Sequence, residues 1–241
     1  MNSIKHLKDC HKDKECLLLN CGPSLNDYTA DELRKAAEGR IVIAVKQAYL
    51  KVPDIVDYHF WNCCNLPLPE NGVHFNYGEK RPVVIASSNF PYGVRWSLQQ
   101  TIDYFFKIPM LHMLDDQIFV ATGLNFEHWT FTNNPIKRPV GPGIMYETVV
   151  FALEHFRFKK VICVGWDLSD KKLSTGYNED KVYEHFYDND VHNPGYIMDW
   201  EVDATCKSSE VLYKWLLSKG IELEIASDKS NLYKGIARVK L

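Results

Sequence analysis

The chain has 241 residues, 46% of them hydrophobic and 24% charged, with a formal net charge of −3 at pH 7. That length and balance suit one well-buried globular core, the charge excludes a broad nucleic-acid footprint, and no apolar run approaches the ~20 residues of a membrane span. No signal-peptide pattern opens the sequence, and the seven cysteines (10, 16, 21, 63, 64, 163 and 206) form no Cys-x-x-Cys pair. The expectation is a reduced, cytoplasmic protein without structural zinc.

Residues 1–15, MNSIKHLKDCHKDKE, are polar and mostly charged, which predicts a mobile lead-in to a single domain over 16–241. The first predicted strand, 16–20, is apolar and stops at Asn20-Cys21-Gly22-Pro23-Ser24. A strand that ends in such a turn before a helical pattern presents backbone N–H groups outward and can hold a phosphate or another anion. On these residues alone, a plain strand-to-helix connection remains the alternative.

A helical pattern over 29–38 stops at Gly39, and further strands are predicted at 41–45, 58–61, 83–87, 161–164 and 222–226. Helices are predicted over 143–155 and 208–219, the second stopped by Gly220. The strands are short, rich in Val, Ile and Leu, and largely unalternating, as strands covered on both faces are. Strand–helix alternation with short links implies right-handed crossovers, hence an α/β, doubly wound, mainly parallel sheet with helices on both faces. Two stretches break the pattern. Residues 67–134 are dense in Pro, Asn and aromatics, and 169–201 are polar and aromatic. Both read as irregular insertions or lid loops at the carboxyl ends of the strands, where such folds bind ligands, or as packing filler.

Four segments in order resemble the small bacterial sialyltransferases. Asn20-Cys-Gly-Pro-Ser-Leu25 is similar to their first turn, and Ala44-Val-Lys-Gln-Ala-Tyr49 to the element ending their second strand. Phe60-Trp-Asn62 is similar to the end of their third strand. Gly141-Pro-Gly143, the helix to His155 and the strand running into Gly165-Trp-Asp-Leu168 follow their later turn, helix and strand. The resemblance spans roughly 16–62 and 138–226. It implies a Rossmann-like fold and a metal-independent glycosyltransferase. The donor would be a CMP-sugar bound as substrate, with no further cofactor, and the acceptor a glycan or other hydroxyl compound.

The resemblance also implies roles. Asn20 and the stretch Cys21, Gly22, Pro23 and Ser24 would line the phosphate and ribose. Gln47 and Asn62 would hydrogen-bond the nucleotide or the sugar. Gly141 and Gly143 would sit by the cytosine or phosphate at a helix start, and Asp167 would close the floor. The chain departs from the family at Cys21 and Lys46, which stand where it carries asparagines, and Lys46 can answer a phosphate charge directly. Gly141-Pro142 replaces two hydroxyl residues, and an upstream arginine is represented by Arg138, displaced by one position.

Glycosyl transfer needs stabilisation of the leaving phosphate and, for inversion, a base for the acceptor hydroxyl. Tyr177 and Tyr183 lie in the loop corresponding to the family's lid, whose tyrosines assist departure. Around Asp199-Trp-Glu-Val-Asp203, where the family has a histidine base, this chain has carboxylates. Asp199 and Glu201 are therefore the base candidates by position, followed by His185 and His192. His59, on a strand, reads as a satisfied core histidine. No metal site is expected, because the nearest Asp-x-Asp, Asp188-Asn-Asp190, follows no strand. The absence of G-x-S-x-G and of a Walker A sequence disfavours a serine hydrolase and a P-loop kinase. A pterin diphosphokinase-like transferase, a non-catalytic nucleotide-binding module and a homo-oligomer remain open.

Overall fold

A computed structural model describes residues 4–63, 75, 77–88, 102–108, 125–135, 138–139, 143–168, 170–172, 181–183 and 199–241. Eight strands form one sheet: β1 (Glu15–Leu19), β2 (Ile41–Val45), β3 (Tyr58–Cys63), β4 (Val83–Ser88), β5 (Tyr104–Lys107), β6 (Lys160–Val164), β9 (Glu222–Ile225) and β10 (Ala237–Arg238). Their spatial order is β10-β9-β6-β1-β2-β3-β4-β5, and every neighbouring pair is parallel. The order reverses at β1, which lies between β2 and β6. This is the doubly wound, Rossmann-like arrangement, and its crevice opens where β1 and β6 end.

Strand residues alternate between two cores. Leu18, Ile43, Phe60, Ile85, Val161 and Cys163 face one side, packed with residues of α2 (Val150–Phe156) and α3 (Asp199–Ser218). Leu17, Leu19, Val42, Ala44, Val84 and Val164 face the other, packed with Leu33 of α1 (Ala30–Ala36) and with Tyr49, Val52 and Val56. Apolar groups on both sides explain why the strand sequences do not alternate in polarity. Helix α1 starts at Thr29 in a capping box with Glu32, which satisfies donors at both ends of the first turn.

Four expectations need correction. The lead-in docks along the sheet's amino edge: Asp9, His11 and Asp13 donate backbone hydrogen bonds to the carbonyls of His155, Phe156 and Arg157, and Ile4 is buried. Within residues 67–134, β4 is the strand expected at 83–87, but β5 and a 3-10 turn at Phe126–Trp129 lie where the composition predicts irregular chain. Within 169–201, β7 (Asp170–Lys172) and β8 (Lys181–Tyr183) pair as a separate antiparallel ribbon. Finally, α3 begins at Asp199 rather than Ser208. Asp199 and Glu201 therefore belong to a helix's first turn, not to a loop preceding it.

Candidate functional site

The turn after β1 is built against the turn after β6. Gly22 N–H donates to the carbonyl of Gly165 at 2.7 Å. A Cβ on Gly22 would lie 2.5 Å from that oxygen and 2.7 Å from Asp167 Oδ2. Gly165 has φ +77° and its backbone abuts the Asn20 carbonyl, so neither position admits a side chain without displacement. Pro23 opens a short 3-10 turn, where its missing N–H is no loss.

The buried Asp167 carboxylate occupies this turn. Ser24 donates its backbone N–H to Oδ2 at 2.7 Å and its hydroxyl to Oδ1 at 2.6 Å. The anion held by the turn is thus supplied by the protein itself. Asn20 and Cys21 are also turned inward: Asn20 Nδ2 donates to Cys163 Sγ at 3.1 Å, and Cys21 Sγ donates to the Val45 carbonyl at 3.2 Å. These contacts make the Asn20–Ser24 segment a rigid wall linking β1, β2 and β6.

At the end of β2, Lys46 has φ +49°, a left-handed conformation uncommon for a side chain of this size. Its carbonyl accepts from His59 Nε2 at 2.8 Å. The other ring nitrogen of His59, Nδ1, lies 2.7 Å from the Tyr77 hydroxyl. Because Nε2 must carry the proton to bond a carbonyl, Nδ1 is the acceptor and Tyr77 the donor. Burial pushes the His59 pKa down to about 4, so the ring is neutral at pH 7. His59 is the satisfied core histidine expected from its place on a strand. Lys46 is partly exposed, and its ammonium has no ion-pair partner among the described residues. Next to it, Gln47 Oε1 is buried and has no hydrogen-bond partner among the described residues.

At the ends of β3 and β4, Asn62 Nδ2 donates to Glu147 Oε2 at 2.8 Å and Ser87 Oγ to the same oxygen at 3.4 Å. Glu147 is 3% exposed and lies in a π-helical turn, Met145–Val149, that leads into α2. Such turns recur at functional sites. Gly143, with φ +74°, precedes this helical run, and its carbonyl accepts from Tyr146 and Glu147 N–H. Glu147 and Ser87 are additions to the sequence reading. The available signal was a carboxylate inside an otherwise apolar helical pattern.

Arg138 is fully buried. It donates to the backbone carbonyls of Trp129, Asn134 and Glu147, and its guanidinium carbon lies 4.4 Å and 4.6 Å from the ring centres of Phe131 and Phe151. Burial pushes its pKa down to about 9. It is a strut between the 129–134 segment and the helical run, not a ligand-facing arginine.

The structure therefore brings Asn20, Cys21, Gly22, Pro23, Ser24, Lys46, Gln47, Asn62, Gly143 and Asp167 to the carboxyl edge of one sheet. Asp199 and Glu201 start the helix that leads down to β9, which puts their backbone at the same edge. Tyr183 ends β8. Gly141, Tyr177, His185, Asp188, Asp190 and His192 lie outside the described residues. At the opposite edge, a polar groove is lined by Arg34, Arg40, Asp54, Asp57 and Lys80. Its charges are paired: Arg34 with Asp54, Arg40 with Glu15, and Lys80 with Asp57. Among the described residues, no group of three His, Cys, Asp or Glu side chains is arranged to hold a metal ion, and no helix is long and apolar enough to cross a membrane.

No family model matches the chain, and no curated protein matches it. Among solved structures it is similar to the MAf glycosyltransferase from Magnetospirillum magneticum AMB-1, with 11% identity and a TM-score of 0.49. The similarity covers 96% of this chain and 36% of that one, so the present chain spans about a third of that protein's length.

Proposed function

We propose that the chain is a glycosyltransferase that takes a sugar from a nucleotide-activated donor, a CMP-sugar, and passes it to an acceptor hydroxyl without a metal ion. The observation that carries this reading is the group at the carboxyl edge beside the strand-order reversal. The left-handed Lys46, the unpartnered Gln47 Oε1 and Asn62 lie along one edge, next to the wall formed by Asn20–Ser24 and Asp167. That edge is where doubly wound folds bind nucleotides. Apart from Cys21 and Lys46, where the chain departs from that family, the same residues carry the resemblance to the sialyltransferases.

The roles follow from the chemistry. The Lys46 ammonium faces the donor phosphate and stabilises the charge that grows as the glycosidic bond breaks. Asn62, anchored on Glu147, meets the sugar or ribose hydroxyls. Asp199 or Glu201 takes the acceptor proton. Ser24 and Asp167 act on the ligand indirectly, because they fix the wall against which it rests.

A thermal-shift titration with CMP, CDP, UDP, ATP and CMP-sugars tests this reading. CMP and CMP-sugars are expected to stabilise the fold, by about 2.7 kcal/mol at a concentration 100 times Kd. Stabilisation by ATP alone favours the diphosphokinase-like reading. Silence with every nucleotide contradicts nucleotide-dependent transfer.

A further inference from the structure

The buried histidine of β3 and the strained lysine of β2 form one device. A non-glycine residue at positive φ is unfavourable by an amount comparable to a hydrogen bond, and it persists only where its surroundings fix it. Lys46 is fixed from two sides. His59 Nε2 holds its carbonyl at 2.8 Å, and the Cys21 thiol holds the preceding carbonyl, that of Val45, at 3.2 Å. His59 is itself held: Tyr77 donates to its Nδ1 at 2.7 Å, Tyr49 stacks on its ring at 4.9 Å, and Phe75 meets the ring edge-on at 4.4 Å. The ring is wholly buried, so it touches no ligand. The buried network therefore ends on the backbone of a partly exposed cation that, among the described residues, has no ion-pair partner, beside Gln47 Oε1, which is likewise unpartnered among them.

We infer that His59 is a positioning residue: with Tyr77 it locks Lys46 in the left-handed conformation that presents its ammonium to a phosphate anion. The inference rests on the proposed nucleotide site only for the identity of that anion. Three features agree with it. The neutral ring has one N–H, and that N–H is committed to Lys46; a pKa near 4 keeps it so at physiological pH. Cys21 couples the same backbone to the turn at the switch point. The strain lies at the ligand-binding edge, where stored conformational energy contributes to pre-organisation.

The test compares His59→Phe, His59→Gln, Lys46→Ala and the double variant His59→Phe/Lys46→Ala. The glutamine keeps an N–H donor toward the Lys46 carbonyl. In ligand-free protein, the three-bond HN–Hα coupling and 13Cα shift of residue 46 report its backbone conformation. They are expected to stay left-handed in the wild type and His59→Gln and to change in His59→Phe. Binding is read by calorimetry with CMP, cytidine and inorganic pyrophosphate. CMP is expected to lose about tenfold in affinity in both His59→Phe and Lys46→Ala, with no further loss in the double variant. Cytidine, which lacks the phosphate, should be indifferent to both substitutions.

A merely structural role for His59 would instead give losses that add to those of Lys46→Ala, and that result overturns the inference. A left-handed Lys46 surviving in His59→Phe overturns it as well, as does a wild type that binds neither anion. Pyrophosphate binding that follows the same non-additive pattern, without CMP binding, supports the lock and removes the CMP reading.

Discussion

Ser24 and Asp167 are joined by two hydrogen bonds, one from the backbone N–H at 2.7 Å and one from the hydroxyl at 2.6 Å, across 143 residues of sequence. This pair ties the turn after β1 to the turn after β6 at the centre of the sheet. A turn that resembles an anion cradle in sequence is filled by the protein's own carboxylate, and it serves as the wall beside the site.

Removing that carboxylate leaves two buried donors without partners. Asp167→Ala should destabilise the fold by about 3 kcal/mol, and Ser24→Ala by about 1–2 kcal/mol. For a chain of this size, each kcal/mol corresponds to roughly 2–4 °C in Tm. Calorimetric melting checks the order: a smaller loss in Asp167→Ala than in Ser24→Ala would contradict the assignment.

Gly22→Ala brings a methyl group to 2.5 Å from the Gly165 carbonyl oxygen and 2.7 Å from Asp167 Oδ2. Backbone must move to admit it, so a loss of about 1–3 kcal/mol is expected, together with weakened nucleotide binding. Gly22 itself is extended, with φ −67°, so the loss reports the clash alone, and Gly78→Ala serves as a control because its Cβ would meet nothing within 4 Å and its φ is not positive. Equal CMP affinity in Gly22→Ala and the wild type would contradict the wall's role.

Glu147→Ala leaves the Asn62 amide and the Ser87 hydroxyl without their shared acceptor. A loss of about 2–3 kcal/mol is expected, whereas Glu147→Gln, which retains an acceptor oxygen, should lose less. Denaturant midpoints at constant m-value provide the comparison. Equal stability of the two variants would show that this carboxylate holds neither partner.

His59 gives a pH dependence of known sign. Its folded pKa of about 4 is below the ordinary histidine value of 6.5. Between these values the unfolded chain binds more protons, so stability falls as pH drops from 6.5 toward 4. The total is roughly 3 kcal/mol, and it is fully present above pH 6.5. Burial lowers the pKa values of His11 and His155 as well, adding to the loss in the same direction. His59→Gln should therefore flatten, but not abolish, the acid limb of a stability–pH curve. An unchanged limb would contradict a neutral, buried His59.

The strands were legible because strands covered on both faces leave unbroken apolar runs, as in Leu17–Leu19 and Val161–Val164. The start of α3 was not. Several of its inward positions are polar, with Thr205, Ser208 and Ser209 all buried, so apolar periodicity emerges only near Leu212 and Leu216. The lead-in is held by backbone hydrogen bonds to residues 155–157 and by single polar side chains, His6 against Tyr104 and His11 against Tyr58, whose partners lie far along the chain, so its polar composition reads as unattached. Strand β5 is short and lies within an aromatic, proline-rich stretch whose composition suggests a loop. Sequence order put Lys46, Gln47, Asn62 and Asp167 at strand ends, and the fold brings all four to the carboxyl edge of the sheet. The inward turn of Asn20, Cys21 and Ser24 was set by partners more than 20 residues away, at Cys163, Val45 and Asp167. A short motif cannot reveal such partners.

The most direct measurement is calorimetric titration of the full chain and of Lys46→Ala with CMP and with a CMP-sugar. Saturable binding at one site, weakened about tenfold by Lys46→Ala, is expected for a nucleotide-sugar site at the carboxyl edge. No binding of either compound, or binding that Lys46→Ala leaves unchanged, would contradict it.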